Sequence, residues 1–457
     1  MAVILKEEDA KEWIYKGEGA ANIVLSYNGS SRSLVGKVLR IQKVLKDEGQ
    51  SANGCVALTR HEKLLWEDIE ELVESTSKEV AEQVFVKRVM SPLLDPMHID
   101  FGIRIAVSRQ FLVSVEKNVH NQRPAWRVEV AGVDTLCDSA LLISDHSVFP
   151  SSKGTLVADL CFAVEIKPKC GFLPSSEFIS KRNAIKKRIT RYEMHQFLKL
   201  KRGEISHISK YDPLDLFSGS KSRINQAIEA LFATPENNFR IFLNGSLVFG
   251  GLGGSMDNAS VSSRETKEKL EALIKISGLQ LSSFLELVAE ALYRSAVLDK
   301  LLAAQKLDHI DIEGAIHLYY NITSQPCMVC KNTSDAELLH LYSRLHSLSL
   351  KESLKIVREY LIATTAKDCS LMVSFRPSEN GSSANKYNSV LLKSCNQSFD
   401  YKANFIDLDM KPLEKMVHYY ELDMQIVDYY KKNTLLEEIK CGTIGGCTED
   451  KHIQYQH

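Results

Sequence analysis

The strongest constraint on the fold is an apolar strand that runs directly into a dense basic segment. Residues Leu156 to Ile166 read as a buried β-strand, and Pro168 stops that strand from continuing in a central position of a sheet. The segment from Glu165 to Arg202 then holds 11 Lys and Arg residues against three Glu residues. Such a block requires either an anionic partner or a long solvated helix face. The basic segment therefore begins where a buried sheet opens.

The remaining composition makes any anion binding a local property. The chain has 457 residues, 44% of them hydrophobic, and a formal net charge of −1, which argues against both a polycation and a disordered chain. Its length allows two large lobes or about three ordinary domains. We find no export signal and no run near the ~20 apolar residues of a membrane span. We therefore expect ten reduced cysteines, no membrane association, and a cytosolic or nuclear location.

A glycine turn between two strands is the first candidate anion site. Its small residues are Gly19, Ala20, Ala21 and Asn22. Small residues let backbone N–H groups approach phosphates, although a tight turn between strands requires glycine in any case. Arg40, on the third strand, would point toward such phosphates.

A later strand ends at a polar triplet. Ser139 to Ile143 is a short apolar run, followed by Ser144, Asp145 and His146. A core strand ends in polar residues when it emerges at a crevice. The Ser/Gly-rich segment from Pro150 to Gly154 is the candidate boundary between two lobes.

The second half of the basic segment predicts a helix from Asn183 to Arg202. Lys187, Arg191, His195 and Lys199 recur every four residues and would share one face. A solvated helix surface normally alternates charge sign, and here only Glu193 interrupts the basic residues. The pattern favours an anion-binding face over a solvated one.

One cysteine pattern indicates a metal site. Cys327 and Cys330 have the spacing of zinc ligands, His317 precedes them, and His340 and His346 follow. Two Cys and two His residues fit a tetrahedral structural zinc. The alternative is a pair of buried, reduced cysteines beside incidental histidines.

Two carboxylates near the C-terminus complete a possible phosphoryl-transfer site. Asp368 follows an amphipathic helix that starts at Leu350, and Asp407 would share a strand face with Asp409. Downstream residues at four-residue spacing predict a second basic helical face: Lys411, Lys415 and Tyr419. Phosphoryl transfer needs cations and backbone around phosphates, a carboxylate on the metal and a base near the acceptor. A zinc-stabilised nucleic-acid-binding protein would share the basic helix and the cysteines.

Local motifs then identify a resemblance. The run Glu165-Ile-Lys167-Pro-Lys169 matches the E-x-K-P-K motif of the inositol-pentakisphosphate 2-kinases, and much of the chain resembles their plant members. The resemblance covers nearly all of the first 420 residues and includes RPAWR (123–127), DPLDLFSGS, TPENNFR, QPCMVC, TAKDCS and FIDLDMKPL (405–413).

The resemblance implies an α+β fold with a two-lobed, protein-kinase-like architecture. Residues 1–149 would form a β-rich N-lobe and 150–435 a larger α/β C-lobe with inositide-binding helices and the zinc site. Residues 436–457 are expected to be a disordered tail. The implied activity is ATP-dependent phosphorylation of the 2-hydroxyl of inositol 1,3,4,5,6-pentakisphosphate, giving the hexakisphosphate, phytate. The expected protein is a monomer with small-molecule partners and no nucleic acid.

The same resemblance implies roles for individual residues. Asp368 and Lys167 would be catalytic, with Asp368 as the base, and Asp407 would hold magnesium. The nucleotide would contact Gly19, Ala20, Ala21, Asn22, Arg40, Ser144, Asp145, His146, Glu165, Lys167, Arg240 and Asp407. The inositol phosphate would contact Arg127, Lys169, Arg191, His195, Lys199, Asn237, Asn238, Asp368, Lys411, Lys415 and Tyr419. Zinc would be held by His317, Cys327, Cys330 and His346.

Two positions depart from the family pattern. Leu45 precedes Lys46 where plant members can carry further basic residues at the end of the Arg40 strand. This removes one expected phosphate clamp and leaves open an inositol-phosphate-binding scaffold without catalysis. Ser144 stands where a hinge Asn is familiar, a milder change because hinge recognition often uses the backbone.

Overall fold

A computed structural model describes most of the chain. The described residues are 4–19, 21–46, 57–149, 160–251, 264–276, 278–378 and 387–444. Ala20, the candidate boundary at 150–154 and the last residues of the expected tail lie outside them. The fold is mixed α+β, with two separate β-sheets and many helices, as the sequence predicted.

The N-terminal sheet has seven strands in the spatial order β1-β5-β7-β4-β3-β2, with β6 paired to β4. All pairs are antiparallel except β1 with β5. The strands are β1 (Ile4–Leu5), β2 (Trp13–Glu18), β3 (Asn22–Tyr27), β4 (Lys37–Leu45), β5 (Ile103–Val107), β6 (Ala131–Val133) and β7 (Ser139–Ser144). The apolar face of this sheet packs on the helix Arg109–Val119 through buried residues such as Ile23, Leu39 and Phe111.

The C-terminal sheet has six antiparallel strands in the order β10-β9-β8-β11-β13-β12. They are β8 (Phe162–Ile166), β9 (Phe239–Leu243), β10 (Ser246–Phe249), β11 (Ser370–Pro377), β12 (Asn388–Leu392) and β13 (Gln397–Ile406). Strand β8 is central, and all five of its residues are buried. The basic segment therefore leaves from the middle of this sheet, as Pro168 predicted.

Helices pack against both sheets. The α-helices are Arg60–Leu65, Glu70–Val73, Lys78–Phe85, Ser91–Leu94, Arg109–Val119, Ala125–Val130, Arg191–Lys201, Pro213–Leu216, Lys221–Ala233, Arg264–Ile276, Leu281–Ser295, Val297–Gln305, Asp311–Thr323, Met328–Lys331, Ala336–His346, Leu350–Asp368 and Met416–Ile444. Short 3-10 helices span Glu7–Glu12, Pro96–His98, His120–Gln122, Lys181–Lys187 and Leu413–Lys415, and Val86–Met90 forms a π-helical turn.

The two hydrophobic cores do not divide the chain at one point. Leu65, Trp66, Phe85 and Met90 lie between β4 and β5 of the N-terminal sheet in sequence, yet they are buried in the same cluster as strand β8. The N-terminal sheet has its own, smaller cluster. The helices between 60 and 94 therefore pack with the C-terminal core, although the sequence assigned residues 1–149 to one lobe.

Four local predictions are corrected, one in the basic segment and three near the C-terminus. The helix predicted from Asn183 is broken, because Arg188 to Thr190 separate a 3-10 helix from the helix Arg191–Lys201, whose N-cap is Thr190. Lys187 therefore leaves the shared face, which keeps Arg191, His195 and Lys199. The side chain of Thr190 accepts a hydrogen bond from the Glu193 N–H, which fixes the new start.

The C-terminal predictions also change. Strand β13 ends at Ile406, so Asp407 and Asp409 lie beyond it, and Asp407 has a positive φ of 59°. Lys411 precedes the 3-10 helix Leu413–Lys415, and Lys415 is the last residue of that helix. Of the residues predicted to form the second basic helical face, only Tyr419 therefore lies in an α-helix. The helix from Met416 continues to Ile444 and replaces the first part of the disordered tail expected from 436.

The length and hydropathy of the helices bear on whether any of them could span a membrane. Within the part of the chain that the structure describes, no single helix is long and apolar enough to cross a membrane, although one pair bent by 73°, Glu265–Ile276 with Leu281–Ser295, passes by length and composition.

Candidate active site

A cleft of about 1150 Å³ separates the two sheets. Strands β2, β3 and β4 form one wall and the end of β13 forms another, while the helix Lys78–Phe85 and the end of β7 close its sides. Of the residues predicted to contact nucleotide, the cleft is lined by Asn22, Arg40, Ser144, Asp145, His146 and Asp407. The sequence therefore placed six residues from four separate segments in one cleft.

The turn before Asn22 is open rather than packed. A Cβ atom added to Gly19 would meet nothing within 4 Å among the described residues outside its chain neighbours. The Gly19 carbonyl accepts hydrogen bonds from Lys43 Nζ at 2.6 Å and Arg127 Nη1 at 3.3 Å. Packing therefore does not require glycine here. Neither Gly19 nor Ala21 lines the cleft.

Carboxylates crowd the inner end of the cleft. Arg40 Nη2 donates to Asp409 Oδ1 at 2.9 Å. Burial raises the pKa of Asp407. Burial, with the nearby charge of Asp409, raises the pKa of Glu82 to about 7. This end of the cleft offers carboxylate oxygens of the kind that hard divalent cations prefer.

The end of β8 connects these carboxylates to the sheet. Glu165 is buried, accepts from Arg240 Nη1 at 2.9 Å and accepts from Ser370 Oγ at 3.0 Å. The same Ser370 hydroxyl lies 3.3 Å from Asp407 Oδ2, and Lys167 Nζ lies 3.9 Å from that oxygen. Glu165, Lys167, Arg240 and Asp407, four residues that the resemblance assigned to the nucleotide, therefore form one connected group.

The polar triplet after β7 uses its carboxylate internally. Asp145 Oδ2 is 2.5 Å from Lys16 Nζ, which also donates to Ser147 Oγ at 2.8 Å and to the Gly245 carbonyl at 3.0 Å. Burial would raise the pKa of Asp145, but Lys16 lowers it below its ordinary value. The Ser144 N–H donates to Asp100 Oδ2 at 2.9 Å. Sequence reasoning missed Lys16, whose partners are far away along the chain.

A second cavity, of about 1400 Å³, lies beside the Arg191–Lys201 helix. Of the residues predicted to bind inositol phosphate, it is lined by Lys169, Arg191, His195, Lys199, Asp368, Lys411 and Tyr419. We call it the basic cavity. The shared face predicted for Arg191, His195 and Lys199 is therefore confirmed, and it faces a concave space.

Three basic side chains of the cavity have no partner among the described residues. Among the residues that the structure describes, the side chains of Lys169, His195 and Lys199 make no hydrogen bond or ion pair. Burial, with the charge of Lys167 next, lowers the pKa of Lys169 to about 7. Burial and the neighbouring Arg191 lower the pKa of His195 to about 3. Among the described residues none of these three side chains has a carboxylate within ion-pair distance, although Glu236 and Asp368 also line the cavity and interact with Lys169 over a longer range.

Asp368 lies at the mouth of the basic cavity. It is the last residue of the helix Leu350–Asp368, and its Oδ2 is 2.5 Å from Lys411 Nζ. Its side chain is 62% exposed. Partial burial would raise the pKa of Asp368, but Lys411, with Lys169 and Lys167, lowers it below its ordinary value. The carboxylate is ionised at neutral pH and is open to the cavity.

Four predicted substrate residues lie elsewhere. Arg127 stacks on Trp126, 4.1 Å from the ring centroid, beside Gly19. Asn238 is buried, and its Nδ2 donates to Tyr192 at 3.4 Å. The remaining two also lie outside the cavity lining, namely Asn237, which is half-buried, and Lys415, which is exposed.

Several charged residues of the basic cavity were not predicted from the sequence, among them Lys367, Asp308 and Asp423. Lys367 Nζ is 2.5 Å from Asp308 Oδ2, and both residues line the basic cavity. Lys367 directly precedes Asp368 in sequence, a signal that was available. Asp423 also lines the cavity and contacts Arg191, but no motif distinguishes it from other helical acids.

The predicted metal ligands meet in space. His317, Cys327, Cys330 and His346 each offer one ligand atom, all within 4.8 Å of one another. The Cys330 sulfur lies 3.6 Å from His317 Nδ1 and 3.4 Å from His346 Nε2. These separations suit the edges of a tetrahedron with zinc–sulfur bonds near 2.3 Å and zinc–nitrogen bonds near 2.0 Å.

The second histidine of this group is His346. Its Nδ1 lies 2.8 Å from Asn321 Oδ1, an outer contact that would fix the ring with Nε2 toward the sulfurs. His340 is exposed and is not part of the group. Of the two histidines that spacing left open, His346 therefore lies with the cysteines and His340 does not.

Sequence comparison identifies the family. A model of the family described as inositol-pentakisphosphate 2-kinase matches residues 15–425. The chain is 58% identical to the inositol-pentakisphosphate 2-kinase of Oryza sativa subsp. japonica, with 98% of each chain covered. It is 51% identical to that of Arabidopsis thaliana, covering 96% of this chain and 97% of the relative, and 28% identical to that of Danio rerio, covering 94% and 95%. The chain therefore belongs to the inositol-pentakisphosphate 2-kinase family, and to its plant type.

Proposed function

We propose that the protein transfers the terminal phosphoryl group of ATP to the 2-hydroxyl of inositol 1,3,4,5,6-pentakisphosphate. The observation that carries this proposal is the position of Asp368. It opens into the basic cavity beside Lys411, and two residues later Ser370 bonds to Glu165 and lies beside Asp407 at the inner end of the cleft. One short segment thus joins a site suited to a polyanion with a site suited to nucleotide phosphates.

The charge of the basic cavity suits this substrate class. Five phosphate groups carry roughly eight to ten negative charges at neutral pH. Unpaired Lys169, His195 and Lys199 offer donors that no described protein group occupies, and Arg191 adds a fork geometry suited to phosphate. A dense set of cations in a concave cavity favours a compact polyanion over an extended nucleic acid.

The residues allow a simple transfer step. Ionised Asp368 accepts a hydrogen bond from the 2-hydroxyl and takes its proton as the hydroxyl oxygen bonds to the terminal phosphorus. The bond from that phosphorus to the bridging oxygen breaks, and ADP leaves with the electron pair. Lys167, Arg240 and Arg40 provide positive charge near the phosphates as negative charge shifts to the leaving oxygen.

The donor atoms at the inner cleft fit magnesium. The Asp407 side chain is 43% exposed, and among the described residues it accepts a long hydrogen bond from Ser370 Oγ at 3.3 Å and lies 3.9 Å from Lys167 Nζ. Carboxylate oxygens in such a position are the protein ligands that magnesium uses together with substrate phosphates. When bound, the cation would neutralise charge on the transferred phosphates.

We assign the two sheets to the two lobes of a protein-kinase-like architecture. The N-terminal sheet would cover the nucleotide, with the open turn at Gly19 approaching its phosphates, and the C-terminal sheet would carry the catalytic residues. The helices between 60 and 94 would move with the larger lobe, because they share its core. A monomer in the cytosol or nucleus remains our proposal.

We further assign zinc to the group of His317, Cys327, Cys330 and His346. This metal would join the helix Asp311–Thr323 to the helix Ala336–His346 and would act structurally, since four protein ligands leave no open position. The purified protein should contain about one zinc per chain. Removal by a chelator should lower the melting temperature, and a metal-free protein of equal stability would contradict the assignment.

The direct test is incubation with ATP, magnesium and inositol 1,3,4,5,6-pentakisphosphate, followed by separation of the products. We expect inositol hexakisphosphate and ADP in equal amounts. Saturable binding of the pentakisphosphate without product would instead indicate a scaffold. Salt-dependent RNA binding that the pentakisphosphate does not displace would favour a nucleic-acid-binding protein.

A further inference from the structure

The first residue of the basic helix is in an unusual electrostatic position. Arg191 begins the helix Arg191–Lys201, where the helix dipole is positive and disfavours a cation. Its side chain is 45% exposed and lines the basic cavity. A cation at this end of a helix therefore needs a compensating partner.

That partner is Asp423, on a different helix. Arg191 Nε donates to Asp423 Oδ1 at 3.0 Å, and the carboxylate is only 4% exposed. Asp423 lies four residues after Tyr419 on the helix Met416–Ile444, so both residues face the cavity. Below this contact the two helices pack through Met194, Leu198 and Ile426. The pair is thus held by a rigid helix contact.

The contact with Asp423 leaves the terminal nitrogens of the Arg191 guanidinium available. Because Asp423 engages Nε, the two terminal nitrogens of the guanidinium remain, and neither donates to any residue that the structure describes. These two nitrogens form the fork that binds phosphate oxygens. An Arg that lacked this contact would sample many rotamers and lose more entropy on binding.

Asp423 is itself held in place by an ion pair with Lys186. Its Oδ2 forms an ion pair of 2.7 Å with Lys186, whose ammonium also contacts Asp311 at 2.5 Å and Glu313 at 3.1 Å. Burial would raise the pKa of Asp423, but Lys186 and Arg191 lower it below its ordinary value. Of the three carboxylates on Lys186, only Asp423 also contacts a cation that lines the cavity.

We propose that Asp423 is a positioning residue, which holds the Arg191 guanidinium side-on so that its two terminal nitrogens face a phosphate of the substrate. This inference rests on the proposed function of the basic cavity. Asp423 would act on the substrate only through Arg191. Lys186 would keep Asp423 ionised and immobile.

The test compares two buried carboxylates that share Lys186. Asp423→Asn should raise the KM and the dissociation constant for inositol pentakisphosphate about 10-fold, the effect of one lost hydrogen bond to a charged group, with kcat nearly unchanged. Glu313→Gln removes a charge from the same ammonium but does not contact Arg191. It should lower the melting temperature without raising KM. An equal rise in KM for both variants would overturn the proposal.

A double-mutant cycle tests whether Asp423 acts through Arg191. Arg191→Gln should weaken binding, and adding Asp423→Asn should cost nothing further. Additive effects would contradict the proposal. If Arg191→Gln weakens binding and Asp423→Asn does not, the positioning role is wrong but the substrate cavity stands. If Arg191→Gln binds normally, both the inference and this part of the proposed cavity are wrong.

A further variant covers the case in which Asp423→Asn does not fold. Arg191→Lys keeps the charge beside Asp423, but its single nitrogen cannot contact Asp423 sideways and also present a fork to phosphate. We expect an affinity close to that of Arg191→Gln, measured by calorimetry with inositol pentakisphosphate. Wild-type affinity for Arg191→Lys would refute a role for orientation.

Discussion

Cations from one basic segment form two sets that differ in their partners. Lys186 is 5% exposed and is held by three carboxylates, whereas Lys169 and Lys199 face a cavity and contact no described carboxylate. A buried cation that is fully paired fixes one arrangement of the chain, and an unpaired one facing a cavity remains available to a ligand. Partners, rather than the density of basic residues, separate the binding face from the structural charge.

The carboxylates show the same division, and the largest expected effect tests it. Asp368 pairs with Lys411 at the cavity mouth and is 62% exposed, whereas Asp423 is 4% exposed. Asp368→Asn should lower kcat by about 10²–10⁴-fold, because the acceptor hydroxyl loses its base. Affinity for inositol pentakisphosphate should be kept or rise slightly, since one negative charge is removed.

The comparison would fail at this point if Asp368→Asn turned over near the wild-type rate. Single-turnover product formation and calorimetric binding should be measured together, since weaker substrate binding and the loss of the base would both lower turnover. The melting temperature serves as the control and should change little, because the side chain is largely exposed.

The second prediction compares the removal of a paired lysine with the removal of an unpaired one. Lys186→Met leaves three buried carboxylates without their shared ammonium and should lower the free energy of unfolding by about 3–5 kcal/mol. Denaturant unfolding measures this change. Lys199→Met, the matched control, should change stability by less than about 0.5 kcal/mol, as an unpaired surface-type substitution does. Equal losses of stability in the two variants would contradict the distinction between paired and unpaired lysines.

The third prediction is the converse effect on binding. Lys199→Met should weaken binding of inositol pentakisphosphate by about 10- to 100-fold, because a charge-assisted hydrogen bond contributes roughly 1.5–3 kcal/mol. Raising the salt concentration should reduce the difference between the variant and the wild type. A wild-type dissociation constant for Lys199→Met would remove this side chain from the substrate site.

Part of this division was predictable from local sequence. The four-residue recurrence of Arg191, His195 and Lys199 predicted their common face, since the α-helical period is local. The break before Arg191 was missed, although Thr190 followed by Glu193 resembles a helix start. The burial of Lys186 could not be predicted from local sequence, because its three carboxylate partners, Asp311, Glu313 and Asp423, lie far away along the chain.

The parts that could not be predicted depend on contacts between distant segments. Lys16, on β2, meets Asp145, which follows β7 of the same sheet, and also reaches the Gly245 carbonyl between β9 and β10 of the other sheet. Arg127 lies beside Gly19, outside the basic cavity, although its motif indicated a substrate contact. The spacing of Cys327 and Cys330 predicted that their sulfurs would lie together, but it left His340 and His346 open, and the fold brings only His346 into the group.

The smallest expected effect concerns protons. Burial and Lys167 lower the pKa of Lys169 to about 7 in the free protein, so at pH 8 most of this side chain is neutral. A bound polyanion should raise that pKa toward the ordinary value near 10.4. Binding at pH 8 should therefore take up as much as about one proton, whereas at pH 6 Lys169 is already protonated and contributes none.

Calorimetry in two buffers of different ionisation enthalpy measures this uptake. Phosphate groups have a second pKa near 6, so at pH 8 they are already ionised and release few protons that would mask it. Lys169→Met should abolish the uptake, whereas Lys199→Met should keep it while weakening binding. Proton uptake that persisted in Lys169→Met would mean that another group takes up the proton. The contrast between the paired Lys186 and the unpaired lysines of the cavity would then rest on Lys199 alone.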